Sequence, residues 1–120
     1  MVAVDQGDYD QAHRRLTESL TLLRELGERW QSVHTLEVFA CLATVKRQQP
    51  SLLRAARIFG AAEVLRETLG ALSLTFQRHF NERGVAALRV QLDDASLTGA
   101  WAEGRAMTLD QVVAYALSDG

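Results

Sequence analysis

Pro50 is the only proline among 120 residues, and its isolation constrains the chain more than any other feature. Proline breaks the i→i−4 ladder. A chain nearly free of it, rich in Ala and Leu, with glycines mostly where apolar periodicity stops, is therefore patterned for helices throughout. No segment reads convincingly as a strand, so the expected fold class is all-α. Apolar residues make up 48% of the chain, enough for a core, and the 23% charged residues nearly cancel to a net charge of −2, which argues against intrinsic disorder. With a pI of about 5.9 the chain has no basic excess to displace counterions, so no direct nucleic-acid contact is expected. The lone Cys41 has no partner for an intramolecular disulfide, and Met1–Val4 runs into Asp5 without a basic or long apolar leader. The longest nearly apolar stretch, Leu36–Val45, is broken by Glu37 and falls short of the ~20 residues a bilayer span needs. A soluble, cytoplasmic protein without membrane contact is the expectation.

Six helices are predicted. The first covers about Asp8–Leu26, with Asp8 as N-cap, Gln11 three residues on and Gly27 as stop; Ala12, Leu16, Ser19, Leu20, Leu23 and Leu26 share one face. The second, about Arg29–Gln48, is apolar on more than one side: Trp30, Val33, Phe39 and Ala43 on one, Val38, Leu42 and Val45 on another. It should be sandwiched between neighbours. Pro50-Ser51 marks a restart, with Ser51 able to cap a third helix that ends at Leu69-Gly70. Phe76, Phe80, Ala87, Leu88 and Leu92 define a fourth, interrupted by Gly84. A short fifth carries Leu97, Ala100 and Trp101, and the capping box Thr108–Gln111 opens a sixth whose stripe is Leu109, Val112, Val113, Ala116 and Leu117.

An offset of 43 lays the first helix on the third: Ala12 on Ala55, Arg14 on Arg57, Leu16 on Phe59, Ser19 on Ala62, Leu22 on Leu65, Leu26-Gly27 on Leu69-Gly70. Size matches size along the whole helix, which indicates a repeated helical hairpin. Ala55, Phe59 and Ala62, with Phe39, Leu42 and Ala43 on the preceding helix, resemble the tetratricopeptide pattern. Lys46 stands where that family has tyrosine, and the period exceeds the usual ~34 residues. The longer hairpin, the run Ala55–Arg66 and the tail Gly99–Leu109 are similar to the C-terminal domain of MalT-like and LuxR-type regulators of the STAND ATPase class. The resemblance implies tetratricopeptide-like antiparallel hairpins, an α-solenoid fragment, acting as a non-enzymatic interaction module of a bacterial signalling ATPase or transcriptional regulator. Residues 1–70 are read as partial repeats and 71–120 as capping helices packed with them into one domain. In stacked hairpins of this kind the first helix lines the concave groove, which points to Glu37, Ala40, Thr44, Arg47 and Gln48 as a protein-binding groove, Arg47 pairing with a partner carboxylate.

By the repeat register Met1–Val4 is only the stub of the helix that should pair with the first. The repeat register leads one to expect a chain that begins mid-repeat, and Leu16, Leu20 and Leu23, with Tyr9, are expected to form an exposed stripe that drives self-association into a dimer or other homo-oligomer. Catalysis and cofactors are not expected. Neither G-x-G-x-x-G nor G-x-x-x-x-G-K-[ST] occurs. His34, Glu37 and Cys41 share a helix side but lack the second cysteine or His-x-x-x-His of a metal site, and mid-helix Cys41 has no device to lower its pKa. Asp93-Asp94 and Glu63/Glu67 read as solvated carboxylates rather than acid/base pairs, and Trp30 and Trp101 as packing residues. Partner protein or self is the main functional expectation; a small-molecule inducer held between repeat and cap is the alternative.

Overall fold

The computed structural model describes residues 6–69 and 75–118, with side chains for 7–68 and 81–118. Among these are six α-helices and no strand: α1 Gln6–Leu26, α2 Arg29–Val45, α3 Gln49–Leu69, α4 Thr75–Gln91, α5 Asp94–Arg105 and α6 Leu109–Leu117. The Met1–Val4 stub, the Gly70 stop and the 71–74 connection lie outside the described residues, as do the side chains of Phe76 and Phe80.

The helix ends follow local chemistry, with three departures from expectation. Gly27, at φ 71°, ends α1 as a Schellman turn: Glu28 N–H donates to Leu23 O at 3.0 Å and Gly27 N–H to Arg24 O at 3.2 Å. Asp8 is not the cap of α1, which begins at Gln6; the carboxylate sits in the first turn, where it opposes the positive end of the helix dipole. α2 stops at Val45 rather than Gln48, because Arg47 turns to φ 56°. Ser51 likewise lies inside α3, where Leu52 N–H already donates to Gln48 O at 2.9 Å, and Pro50 fits the first turn because its missing N–H has no partner to lose there. Asp93 caps α5 by accepting from Ser96 N–H at 3.1 Å, and the Thr108–Gln111 box opens α6.

α1 and α3 begin and end 43 residues apart and are each 21 residues long. α2 and α4 are each 17 residues long. The long-short alternation therefore extends one helix further than the sequence reading carried it. Connections of a few residues fold α1, α2 and α3 back on one another, and α2 becomes the centre, touched by α1, α3, α4 and α6. That explains its many-sided apolar pattern: Val33, Leu36, Phe39, Ala40, Cys41 and Ala43 are all buried. Trp30 is the exception at 50% exposed, since it precedes the first buried turn. Gly84 does not interrupt α4. Its missing side chain makes room instead, because a β-carbon there would lie 2.9 Å from the Phe59 ring and 3.2 Å from Cys41 Sγ.

The last two helices cover different faces. α5 packs on α3. α6 presses Val112, Val113 and Ala116 into the groove that α1 and α3 leave over α2. Arg54 secures its end: Nη2 donates to the carbonyls of Tyr115, Ala116 and Ser118 at 2.7, 2.8 and 2.6 Å, and the guanidinium carbon stands 4.8 Å from the Tyr115 ring centroid. A cation at a helix C-terminus satisfies carbonyls that have no partner within the helix.

Candidate functional site

Two of the five groove residues read from sequence line a trough between α2 and α4. Its volume is about 480 Å³, and its walls are Thr44, Val45 and Arg47 from the end of α2 and Arg83, Ala87 and Val90 from α4. Gly84 also lines the trough, where a β-carbon would crowd the Phe59 ring and Cys41 Sγ, and Val90 is 85% exposed at its wall. Its charged lining residues are both arginines. Arg47 is held at φ 56°, the left-handed region that glycine enters freely and a side-chain-bearing residue enters at a cost. Gly27 fills the equivalent position after α1. An arginine where the backbone favours glycine places a guanidinium at the trough's end at the expense of local strain.

The remaining groove residues sit elsewhere. Ala40 is fully buried in the core, and Glu37, 4% exposed, is turned inward to Arg66. Arg66 Nε donates to Glu37 Oε2 at 2.8 Å while Nη2 meets Oε1, a two-pronged bond between α2 and α3 that holds Arg66 above its ordinary pKa. Gln48 is exposed in the α2–α3 turn, and Thr44 is buried, its hydroxyl donating to Cys41 O at 2.7 Å. Helix α2 is central rather than lining an open face, so Glu37, Ala40 and the Thr44 hydroxyl are not available to a partner.

The expected self-association stripe is also covered. Leu20 is fully buried, and Leu16 and Leu23 are half-buried, because α2 and α6 pack on that face. Tyr9 is half-buried, stacked on His13 at 6.1 Å, with Lys46 Nζ 4.7 Å from its ring centroid. The exposed apolar side chains here are instead Leu22 (55%), Leu26 (67%) and Trp30.

Other candidate chemistry resolves into packing. Trp101 stacks on Phe59 at 6.1 Å and donates from Nε1 to Glu63 at 3.1 Å. Glu63 and Glu67 both face Arg105. Burial, and secondarily the Glu37 charge, pushes the Cys41 thiol up to about 12. Among the described residues no group of three or more His, Cys, Asp or Glu is arranged to hold a metal ion, and no helix is long and apolar enough to cross a membrane. Sequence reasoning missed Arg83, Ala87 and Val90. The signal was the 17-residue length shared by α2 and α4, obscured by a longer connection before α4. Comparison with protein-family models, curated proteins and solved structures finds no match to this chain.

Proposed function

We propose that this chain is a non-catalytic recognition module whose α2–α4 trough takes an acidic, partly apolar segment of a protein partner. The supporting observation is that Arg47 and Arg83 both line a trough whose described lining residues include no carboxylate, with Arg47 kept in a strained backbone conformation. Such an arrangement suits bidentate recognition of carboxylates beside an apolar contact on Val90. The resemblance to the tail of MalT-like and LuxR-type regulators supports a setting in which the module reports to a bacterial signalling ATPase. Selection of displayed peptides on the wild-type chain is expected to enrich Asp/Glu-containing apolar sequences. Those peptides should bind Arg47→Asn/Arg83→Gln at least ~10-fold more weakly, with thermal unfolding unchanged. Enrichment of basic or uncharged peptides, or equal binding by the variant, would reject the trough.

Self-association is a second reading, supported by the exposed Leu22, Leu26 and Trp30. α5 covers α3, whereas the described residues place no corresponding helix on α1. Sedimentation velocity should then show an oligomer that Leu22→Gln/Leu26→Gln dissolves, and a monomer at all concentrations would remove this reading.

A further inference from the structure

Helix α6 fills only part of the groove between α1 and α3. Its N-terminal residues Leu109 and Asp110 lie near the end of α1, and at Leu117 it stops against a pocket of about 550 Å³ at the other end. That volume falls within the ~300–1,000 Å³ typical of small-molecule sites. The floor is apolar: Phe39, Ala43 and Ile58 are buried yet border the space. The α1 wall is aromatic, with His13 set edge-on to Phe39 at 5.6 Å and Tyr9 stacked on His13, their planes 16° apart.

The polar groups are arranged by depth. Asp10, Arg14 and Glu18 are exposed at the rim and together contribute one negative charge in excess, while Arg54 is half-buried. Among the described residues, the hydrogen bonds that Arg54 gives to the end of α6 and to Ser118 all leave from Nη2, so that its Nε and Nη1 edge makes no bond to them. Arg54 lines the same pocket as Tyr9, whose pKa is raised by burial, lowered in part by the Arg54 charge and raised further by Asp10. Lys46, against the Tyr9 ring, adds a second cation, and Ser51 a hydroxyl.

We propose that this pocket binds a small aromatic organic anion, its ring against the Tyr9, His13 and Phe39 wall and its acidic group directed to Arg54 and Lys46. An aromatic ring matches a wall built from the half-buried Tyr9 and His13 over Phe39, and a carboxylate or sulfonate matches two donors that carry positive charge. The site lies on the opposite side of α2 from the trough and is independent of it.

The test is titration of the full chain with 1-naphthoate and with its uncharged counterpart 1-naphthamide, followed by backbone amide shifts. Saturable shifts at Tyr9, His13, Lys46 and Ser51 are expected for 1-naphthoate, with affinity at least ~10-fold above that of 1-naphthamide. Lys46→Gln should narrow that gap by reducing naphthoate affinity alone, and Ser51→Trp should block both ligands while leaving the far-UV spectrum unchanged. Absence of saturation, equal affinity for the two probes, or shifts confined to Leu22, Leu26 and Trp30 would overturn the proposal.

Discussion

Gly60 of α3 lies directly beneath the backbone of Trp101 in α5, and Gly104 of α5 lies in the same way against the backbone of Arg57 in α3. A β-carbon on Gly60 would sit 3.1 Å from the Trp101 carbonyl carbon, and one on Gly104 only 2.6 Å from that of Arg57. The obstacles are main-chain atoms, which cannot rotate aside. Gly60→Ala and Gly104→Ala should each cost about 3 kcal/mol or more, since separating the helices also loosens Phe59 against Trp101. Gly99 is the control: a β-carbon there meets nothing within 4 Å, so Gly99→Ala should stabilise by about 0.5–1 kcal/mol. Urea unfolding of the three variants checks the order.

The Glu37–Arg66 bond is buried, with side-chain exposures of 5% and 14%. Removing one partner strands a charge out of water, so Glu37→Ala and Arg66→Ala should each lose about 3–5 kcal/mol. The double variant Glu37→Leu/Arg66→Met, which removes both charges and keeps apolar bulk, should recover most of that loss. A double-mutant cycle built from Glu37→Leu, Arg66→Met and their combination measures it in chemical denaturation, and additive losses would contradict the paired reading.

Arg47 supplies a test that separates folding from recognition. Arg47→Gly relieves the left-handed strain at φ 56° and should raise stability by about 0.5–1 kcal/mol. The same change removes a guanidinium from the trough and should weaken the selected acidic peptides. Opposite signs in thermal unfolding and peptide affinity are the expected pair.

Cys41 predicts a pH dependence. Its ordinary pKa of 9.0 applies in the unfolded chain, and about 12 in the folded one. The native state therefore holds a proton that the unfolded state releases between these values, and stability should fall as pH rises from about 9 towards 12. Tyr9, also raised, adds in the same direction. Cys41→Ser should flatten that slope, and the native wild-type thiol should resist iodoacetamide at pH values where the unfolded chain reacts. Denaturation midpoints across the alkaline range give the slope.

The periodic positions were legible because helix spacing is a local property: α1 and α3 follow the 43-residue match from end to end, and Thr108 with Gln111 announces α6 within four residues. Glycine meaning was less legible. Gly27 terminates a helix through its own φ, whereas Gly60, Gly84 and Gly104 serve neighbours remote in sequence, and spacing contains no information about those neighbours. The groove assignment failed at Glu37 and Ala40 for a related reason. Helical pattern shows that α2 is apolar on several sides, yet it cannot say which side α3, α4 or α6 takes.

Sequence by itself determined the all-α class, the six helices found among the described residues and the 43-residue spacing of α1 and α3, since each depends on interactions a few residues apart. Tertiary structure alone decided that α6 would occupy the α1–α3 groove, that Leu20 would be buried, that Glu37 would turn inward to Arg66, and that Arg47 and Arg83 would line one trough. Burial and charge pairing depend on which helix arrives at a face, and that is settled by the packing of the whole chain.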